Sequence, residues 1–183
     1  MRLDDAGRHG EHLLVRPALS VGLIITSGVF SQAALGVEVT ARLGLASPMT
    51  SGVLVGPAVG LSLGVPIKGR LGVLASGDFS THALSGHPDA RIDALTGALG
   101  LEASIDLAPV IPTLSIGGAY QHAWRQDVDA HADKFGGFIG VGLRATLLDH
   151  LRLGLQARYF TTSFGGSDFP AYVTFSLEVG WTS

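Results

Sequence analysis

The segment that decides the fold is the last one, AYVTFSLEVGW at residues 171–181. Its odd-numbered positions are all apolar, from Ala171 to Trp181, whereas Tyr, Thr, Ser, Glu and Gly occupy the even-numbered positions. The segment before it, LRLGLQARYFT at residues 151–161, alternates in the same way and keeps both of its arginines on one side. Alternation with period two over about ten residues indicates a β-strand with two different faces, and a tilted strand of this length crosses a bilayer.

The same alternation recurs upstream and gives nine candidate strands in all. Bacterial single-chain barrels have an even number of strands, and counting back from Trp181 gives eight strands that begin at Leu35. We therefore predict an all-β, antiparallel, up-and-down transmembrane β-barrel of eight strands, with ten strands as the alternative. Residues 1–12 are predicted to be a flexible N-terminal segment and residues 13–183 a single barrel domain. The seven further candidates are 13–25, 35–45, 53–65, 71–79, 95–107, 114–124 and 135–145.

Composition excludes several other classes. Apolar residues make up 46% of the chain and charged residues 15%, with a mean hydropathy of +0.39, which is unusual for a surface that faces water. No apolar run reaches the roughly eighteen residues of a membrane helix, so strands are the spanning element that remains. The net charge of -3 and the scattered basic residues give no support for nucleic-acid binding. Without Cys, and with no HxH or HxxxH spacing among His82, His87, His122 and His131, the sequence predicts no metal or other cofactor.

The two faces of the strands differ in composition, and this difference predicts which face meets lipid and which lines the barrel interior. From residue 35 onward the apolar face carries Leu, Val, Ile and aromatic residues and no charge. The other face is mainly Gly, Ala, Ser and Thr, which suit a crowded, narrow barrel interior. A basic residue on the lipid face costs about 2–4 kcal/mol at the bilayer midplane, so an uncharged outer face is what a membrane requires. The alternative is a soluble lipocalin-like ligand-binding barrel, in which the apolar face would point inward.

The charges of the second face are predicted to meet in the lumen. A buried charge is stable only when it is paired, so we interpret this set as a salt-bridge network that fills and stiffens the interior. The alternative is a narrow channel for ions or for small or apolar solutes. The predicted network consists of Glu38, Arg42, Arg70, Asp78, Glu102, Asp106, Arg144, Arg152, Arg158 and Glu178.

Connection lengths and aromatic residues predict an orientation. Tight connections are expected at 66–70, 108–112 and 148–150, and longer polar ones at 82–93, 125–134 and 163–170. Outer-membrane barrels place short turns in the periplasm and longer loops outside the cell. Aromatic residues near the outer rim would form an interfacial girdle, with one member at the opposite rim. The predicted girdle is Phe79, Trp124, Phe135, Tyr159 and Tyr172, with Trp181 opposite.

Across residues 13–181 the pattern resembles the small outer-membrane β-barrel proteins of Gram-negative bacteria, of the OmpA, OmpX and OmpW kind. The resemblance rests on the alternation, the Gly-rich inner faces and the segment PTLSIGGAY at residues 112–120. It implies a monomeric outer-membrane protein with a structural or surface-interaction role. It also implies contacts with outer-membrane lipid and lipopolysaccharide, and with the barrel-assembly machinery during biogenesis. Residues 1–11 lack the apolar core of an export signal, so the leader is expected to have been removed.

Enzymatic activity is not predicted. A lipid-modifying barrel would need a Ser or His with a carboxylate partner on the outer face near the rim. His122 is the residue of this kind that the alternation places there, and we expect neither a Ser nor an acidic residue in register with it.

Overall fold

The computed structural model describes residues 36–125, 130–161 and 171–183. The segment 1–12, the candidate strand 13–25 and the connection 163–170 lie outside the described residues, so those three predictions remain predictions. No helix long and apolar enough to span a bilayer occurs in the part of the chain that is described.

Eight antiparallel strands follow one another around a closed barrel, and the last strand pairs with the first. The prediction of an eight-stranded barrel is confirmed. The ten-stranded alternative is wrong, because β1 and β8 pair over their full lengths and leave no edge for further strands. The strands are β1 Glu38–Pro48, β2 Gly56–Lys68, β3 Leu71–Leu84, β4 His87–Ser104, β5 Val110–Arg125, β6 Ala130–Leu148, β7 Leu151–Thr161 and β8 Tyr172–Thr182.

The alternation of the sequence becomes an outer and an inner surface. Leucines such as Leu43 and Leu99 are 62% and 63% exposed on the outside, whereas Arg158 is 2% exposed on the inside. Successive side chains of a strand point to opposite faces, so one apolar residue in two is enough to build a continuous apolar belt. The lipocalin-like alternative, which requires the leucines inside, is therefore wrong.

The two ends of the barrel differ in their connections. The lower end carries the turns Gly69–Arg70 and Asp149–His150 and the connection 105–109, together with residues 36–37 and Ser183. The upper end carries the connection 49–55 and the turn Ser85–Gly86, where Gly86 adopts a φ of +78° that favours glycine.

The predicted long loop at 82–93 is wrong, because β3 and β4 continue through it up to the turn Ser85–Gly86. The predicted loop at 125–134 is likewise shorter than expected, since β6 already begins at Ala130. Above a bilayer both faces of a strand can meet water, so polar residues no longer alternate with apolar ones although the backbone pairing continues. We call the described residues among 80–94 and 121–134 the projecting wall.

Candidate functional site

The lower half of the lumen is organised around Arg144 of β6. Its guanidinium donates two hydrogen bonds to the carboxylate of Glu102 on β4, at 2.7 and 2.9 Å. Its Nε donates to Glu178 on β8 at 3.1 Å, and its Nη1 lies 3.4 Å from Glu38 on β1. Arg152 adds a bond of 2.6 Å to the other oxygen of Glu38. This lower cluster therefore joins two arginines to three carboxylates.

Carboxylates outnumber arginines in the lower cluster, whereas arginines outnumber carboxylates in the upper half of the network. Arg42 of β1 donates to Oδ1 of Asp78 on β3 at 2.8 Å, and Nη1 of Arg158 on β7 lies 3.7 Å from Oδ2 of the same carboxylate. Arg158 also donates to the hydroxyl of Ser76 at 3.0 Å. Two arginines thus share one carboxylate, and the two clusters together balance four arginines against four carboxylates.

Glycines make room for these arginines. A Cβ added to Gly154 would lie 2.9 Å from Cγ of Arg144, and one added to Gly140 would lie 2.9 Å from Cγ of Arg158. The long side chains therefore lie across neighbouring inner positions that have no side chain of their own. This explains why the inner face needs glycine beside its charges.

Above the arginines an aromatic crossbar spans the lumen. The rings of Phe160 on β7 and Tyr172 on β8 stack with centroids 4.6 Å apart, and Phe138 lies 5.7 Å from Phe160. The Tyr172 hydroxyl donates to Thr96 on β4 at 2.8 Å, so the crossbar reaches a strand well away from β8. The prediction of Tyr172 as a girdle residue is wrong, because its even-numbered position in β8 points inward with Glu178 and it is buried.

The other predicted girdle residues lie on the outer surface. Phe79, Phe135 and Tyr159 are exposed in the upper half of the barrel, and the ring of Trp124 lies 6.1 Å from that of Phe79. Trp181 is exposed at the lower end. Their contact with the membrane interface remains a prediction.

Two predicted network members lie apart from it. Arg70 belongs to the exposed turn after β2, and Asp106 follows the end of β4, where its carboxylate accepts a hydrogen bond from the Ala108 backbone at 3.2 Å. Neither forms an ion pair with another described residue. Both residues lie in connections between strands, where strand alternation no longer predicts which way a side chain points. They line a vestibule of about 560 Å³ at the lower end, whose inner wall includes Arg144.

A polar cluster that the sequence analysis missed lies on the outer face. His122 pairs directly with Asp133 across β5 and β6, and its Nδ1 lies 2.7 Å from the carboxylate. The Tyr120 hydroxyl donates to the same oxygen of Asp133 at 2.5 Å. These two hydrogen bonds lower the pKa of Asp133 below its ordinary value. The expectation that no acid lies in register with His122 is wrong, because Asp133 belongs to β6 and not to the predicted loop at 125–134.

At the upper end of the inner face, His82 holds the connection 49–55 between β1 and β2 in place through hydrogen bonds. Its Nδ1 donates to the backbone oxygen of Leu54 at 3.1 Å, and its Nε2 lies 3.0 Å from the Ser80 hydroxyl. The backbone of Leu54 also donates to Ala83. Burial lowers the pKa of His82, so the neutral ring is favoured. In the part of the chain that is described, no group of His, Asp or Glu residues is arranged to hold a metal ion.

A closed eight-stranded barrel with leucines outside and ion pairs inside defines the class of small outer-membrane β-barrels, as the sequence predicts. Solved structures show the same fold. Neisserial surface protein A matches with a TM-score of 0.63 at 16% identity, over 81% of this chain and 97% of that one. The N-terminal barrel domain of Pseudomonas aeruginosa OprF matches with a TM-score of 0.59 at 14% identity, over 80% and 97%. OprG from the same organism gives 0.59 at 13% identity, over 81% and 97%. No protein-family profile and no curated protein matches the sequence.

Proposed function

We propose that this chain is an integral protein of the bacterial outer membrane with a closed lumen, and that it acts as a structural or surface-interaction barrel. The continuous apolar belt supports a bilayer location, because every strand from β1 to β8 carries at least one exposed leucine on its outer face. Exposed valines and phenylalanines lie beside these leucines. Removal of an export leader, assembly by the barrel-assembly machinery, contact with lipopolysaccharide and a monomeric state are parts of the same proposal.

The observation that carries the proposal is the contact of Arg144 with carboxylates from β1, β4 and β8. In the closed barrel β4 lies opposite β8, which pairs with β1, so the buried guanidinium of Arg144 links opposite sides of the lumen. The crossbar formed by Phe138, Phe160 and Tyr172 adds a second obstruction above it. An eight-stranded barrel has an interior about filled by its own side chains, and this one holds two clusters that together contain four arginines and four carboxylates.

The projecting wall supports a role at the upper surface. It carries Asp89, Arg91, His131 and Asp133 at exposed positions beyond the apolar belt. A hydrogen-bonded sheet holds such side chains in more fixed positions than a long irregular loop would, so the wall can present a defined surface to other molecules.

The test measures folding and conductance on the purified protein. We expect a compact, faster-migrating band in unheated gels that converts to a slower band on heating, and no stable current in planar bilayers. Steady single-channel steps from the unaltered protein would contradict the closed lumen. Folding in plain buffer without detergent would contradict the membrane location.

A narrow channel is the second candidate, and the vestibule at the lower end favours it. This cavity reaches Arg144 from one side. Passage would still require both the lower cluster and the crossbar to rearrange. If the unaltered protein is a channel, a double replacement of Phe160 and Tyr172 by Ala should raise its conductance. If the lumen is closed by both obstructions, the double variant should remain silent.

A further inference from the structure

An apolar groove of about 940 Å³ crosses the outer surface of the barrel from β1 to β6. It lies within the belt of exposed leucines, and Leu61 and Leu99 stand beside it with 62% and 63% of their surface exposed. The groove is a depression between these large side chains. A second apolar depression, of about 690 Å³, lies on the outer surface across β6, β7, β8 and β1.

The depth of the groove comes from small residues on neighbouring strands. Gly77 of β3 pairs with Gly97 of β4, and Gly118 of β5 pairs with Leu99, two residues below Gly97 on β4. A Cβ added to Gly77 or Gly97 would meet no atom within 4 Å, so the space above both residues is open. Ala75 continues this floor on β3.

The groove ends at its upper side against polar groups. Tyr120 and Phe135 form its end wall, with ring centroids 4.8 Å apart. The next outward-facing pair above them is His122 and Asp133, and the Asp133 carboxylate accepts the Tyr120 hydroxyl. The apolar groove therefore leads to an exposed carboxylate at the level where the apolar belt ends.

We propose that this groove binds one acyl chain of a membrane lipid whose head group donates hydrogen bonds to Asp133 through an amine or hydroxyl. The inference rests on the proposed function, because only a bilayer-embedded barrel offers this face to lipid. The groove is continuous with the lipid-facing belt, and an apolar groove with one polar end matches an amphiphile. The exposed Asp133 carboxylate, whose hydrogen bonds with Tyr120 and His122 both involve Oδ1, favours a head group that donates hydrogen bonds over one that has no donor.

The test counts bound lipid by native mass spectrometry of the protein released from micelles. Lysophosphatidylethanolamine, whose ammonium donates hydrogen bonds, is compared with lysophosphatidylcholine. The quaternary ammonium of the choline lipid has no N–H group to donate. We expect one retained lipid per chain and a preference for the ethanolamine form of about tenfold, as one hydrogen bond to a charged group provides. The D133N variant should lose the preference and still retain the choline lipid.

Filling the floor should remove binding of both lipids. The double variant Gly77→Leu with Gly97→Leu places two side chains in the groove, and Phe135→Ala removes its end wall should the double variant not fold. Ala145→Leu on β6 is the matched control, because it adds the same outward side chain away from the groove.

Several results would overturn the inference. The first is retention of lipid by the filled variant at the level of the unaltered protein. The second is equal retention of both lipids by the unaltered protein. The third is a dimer that the filling replacements abolish, which would assign the groove to a second copy of the chain. A barrel that enters micelles without retaining lipid contradicts this inference alone. A chain that does not enter micelles contradicts the proposed function.

Discussion

Arg144 binds three strands that are not neighbours of its own strand in the sheet. Its carboxylate partners lie on β1, β4 and β8, whereas β6 pairs only with β5 and β7. We predict that Arg144→Ala lowers the free energy of unfolding by about 3–5 kcal/mol, because it leaves carboxylates buried without their partner. Urea unfolding from micelles measures the loss.

Arg152→Ala is the matched control for that replacement. Arg152 bonds the carboxylate of Glu38 alone, and 30% of its side chain is exposed to solvent at the lower end. Its loss should cost clearly less than that of Arg144. Equal effects of the two replacements would show that the number of carboxylates around Arg144 does not determine its contribution.

His82 makes the stability of the upper end depend on pH. Burial holds the pKa of His82 below its ordinary value of 6.5, and the Leu54 carbonyl and nearby Asp93 oppose this shift without cancelling it. As pH falls, the unfolded chain takes up this proton first. The stabilisation is therefore present above pH 6.5 and is lost as pH falls through the pKa of the folded state.

The His82→Asn variant tests this prediction, since its amide can still donate to the Leu54 carbonyl but does not titrate. Unfolding measured between about pH 7.5 and about pH 5 should depend less on pH in the variant than in the unaltered protein. An unchanged pH dependence would assign the effect to other groups.

At the scale of a strand, β4 contains two glycines with opposite surroundings. A Cβ on Gly100 would collide with the backbone oxygen of Ile116 on β5, whereas a Cβ on Gly97 would meet open space. We predict that Gly100→Ala costs about 1–3 kcal/mol, because β4 and β5 must move apart, and that Gly97→Ala stays within about 0.5 kcal/mol. Thermal unfolding of the two variants in the same detergent compares them directly, and equal midpoints would contradict the steric argument.

The sequence predicted strands well where their two faces meet different solvents. In β7 and β8 the alternation of leucine with glycine or charge located the strands to within one residue. It failed above the belt, where β3, β4 and β6 continue through polar residues that were assigned to loops. It failed again at Arg70 and Asp106, where a turn interrupts the alternation.

The composition of the lumen could be predicted, but its pairing could not. The inner-face rule identified all four arginines and all four carboxylates that the structure brings together. It could not assign Arg144 to Glu102 and Glu178, because these contacts depend on how strands are staggered around the closed barrel. The contact of Tyr172 with Thr96 was missed for the same reason, since β8 and β4 are distant in the sheet.

For the whole molecule, the apolar belt predicts how basic residues are tolerated at different depths. Leu143 lies near mid-height on the outer face of β6, and Leu147 lies close to the lower turn. We predict that Leu143→Arg costs about 2–4 kcal/mol and Leu147→Arg at most about 1 kcal/mol, because the penalty falls towards the interface. Refolding into lipid vesicles with urea titration measures both values, and similar costs at the two depths would argue against a bilayer around this belt.

The pairing of β1 with β8 has a consequence for how the barrel is completed. Every other ladder joins strands that follow one another in the described chain, so each can form as a hairpin with a modest loss of chain entropy. The junction of β1 with β8 joins residues as far apart as Val37 and Ser183, which lie 146 positions from each other. We therefore expect a curled sheet with two open edges to precede the closed barrel, and shielding of those edges until they meet to raise the yield of finished barrels.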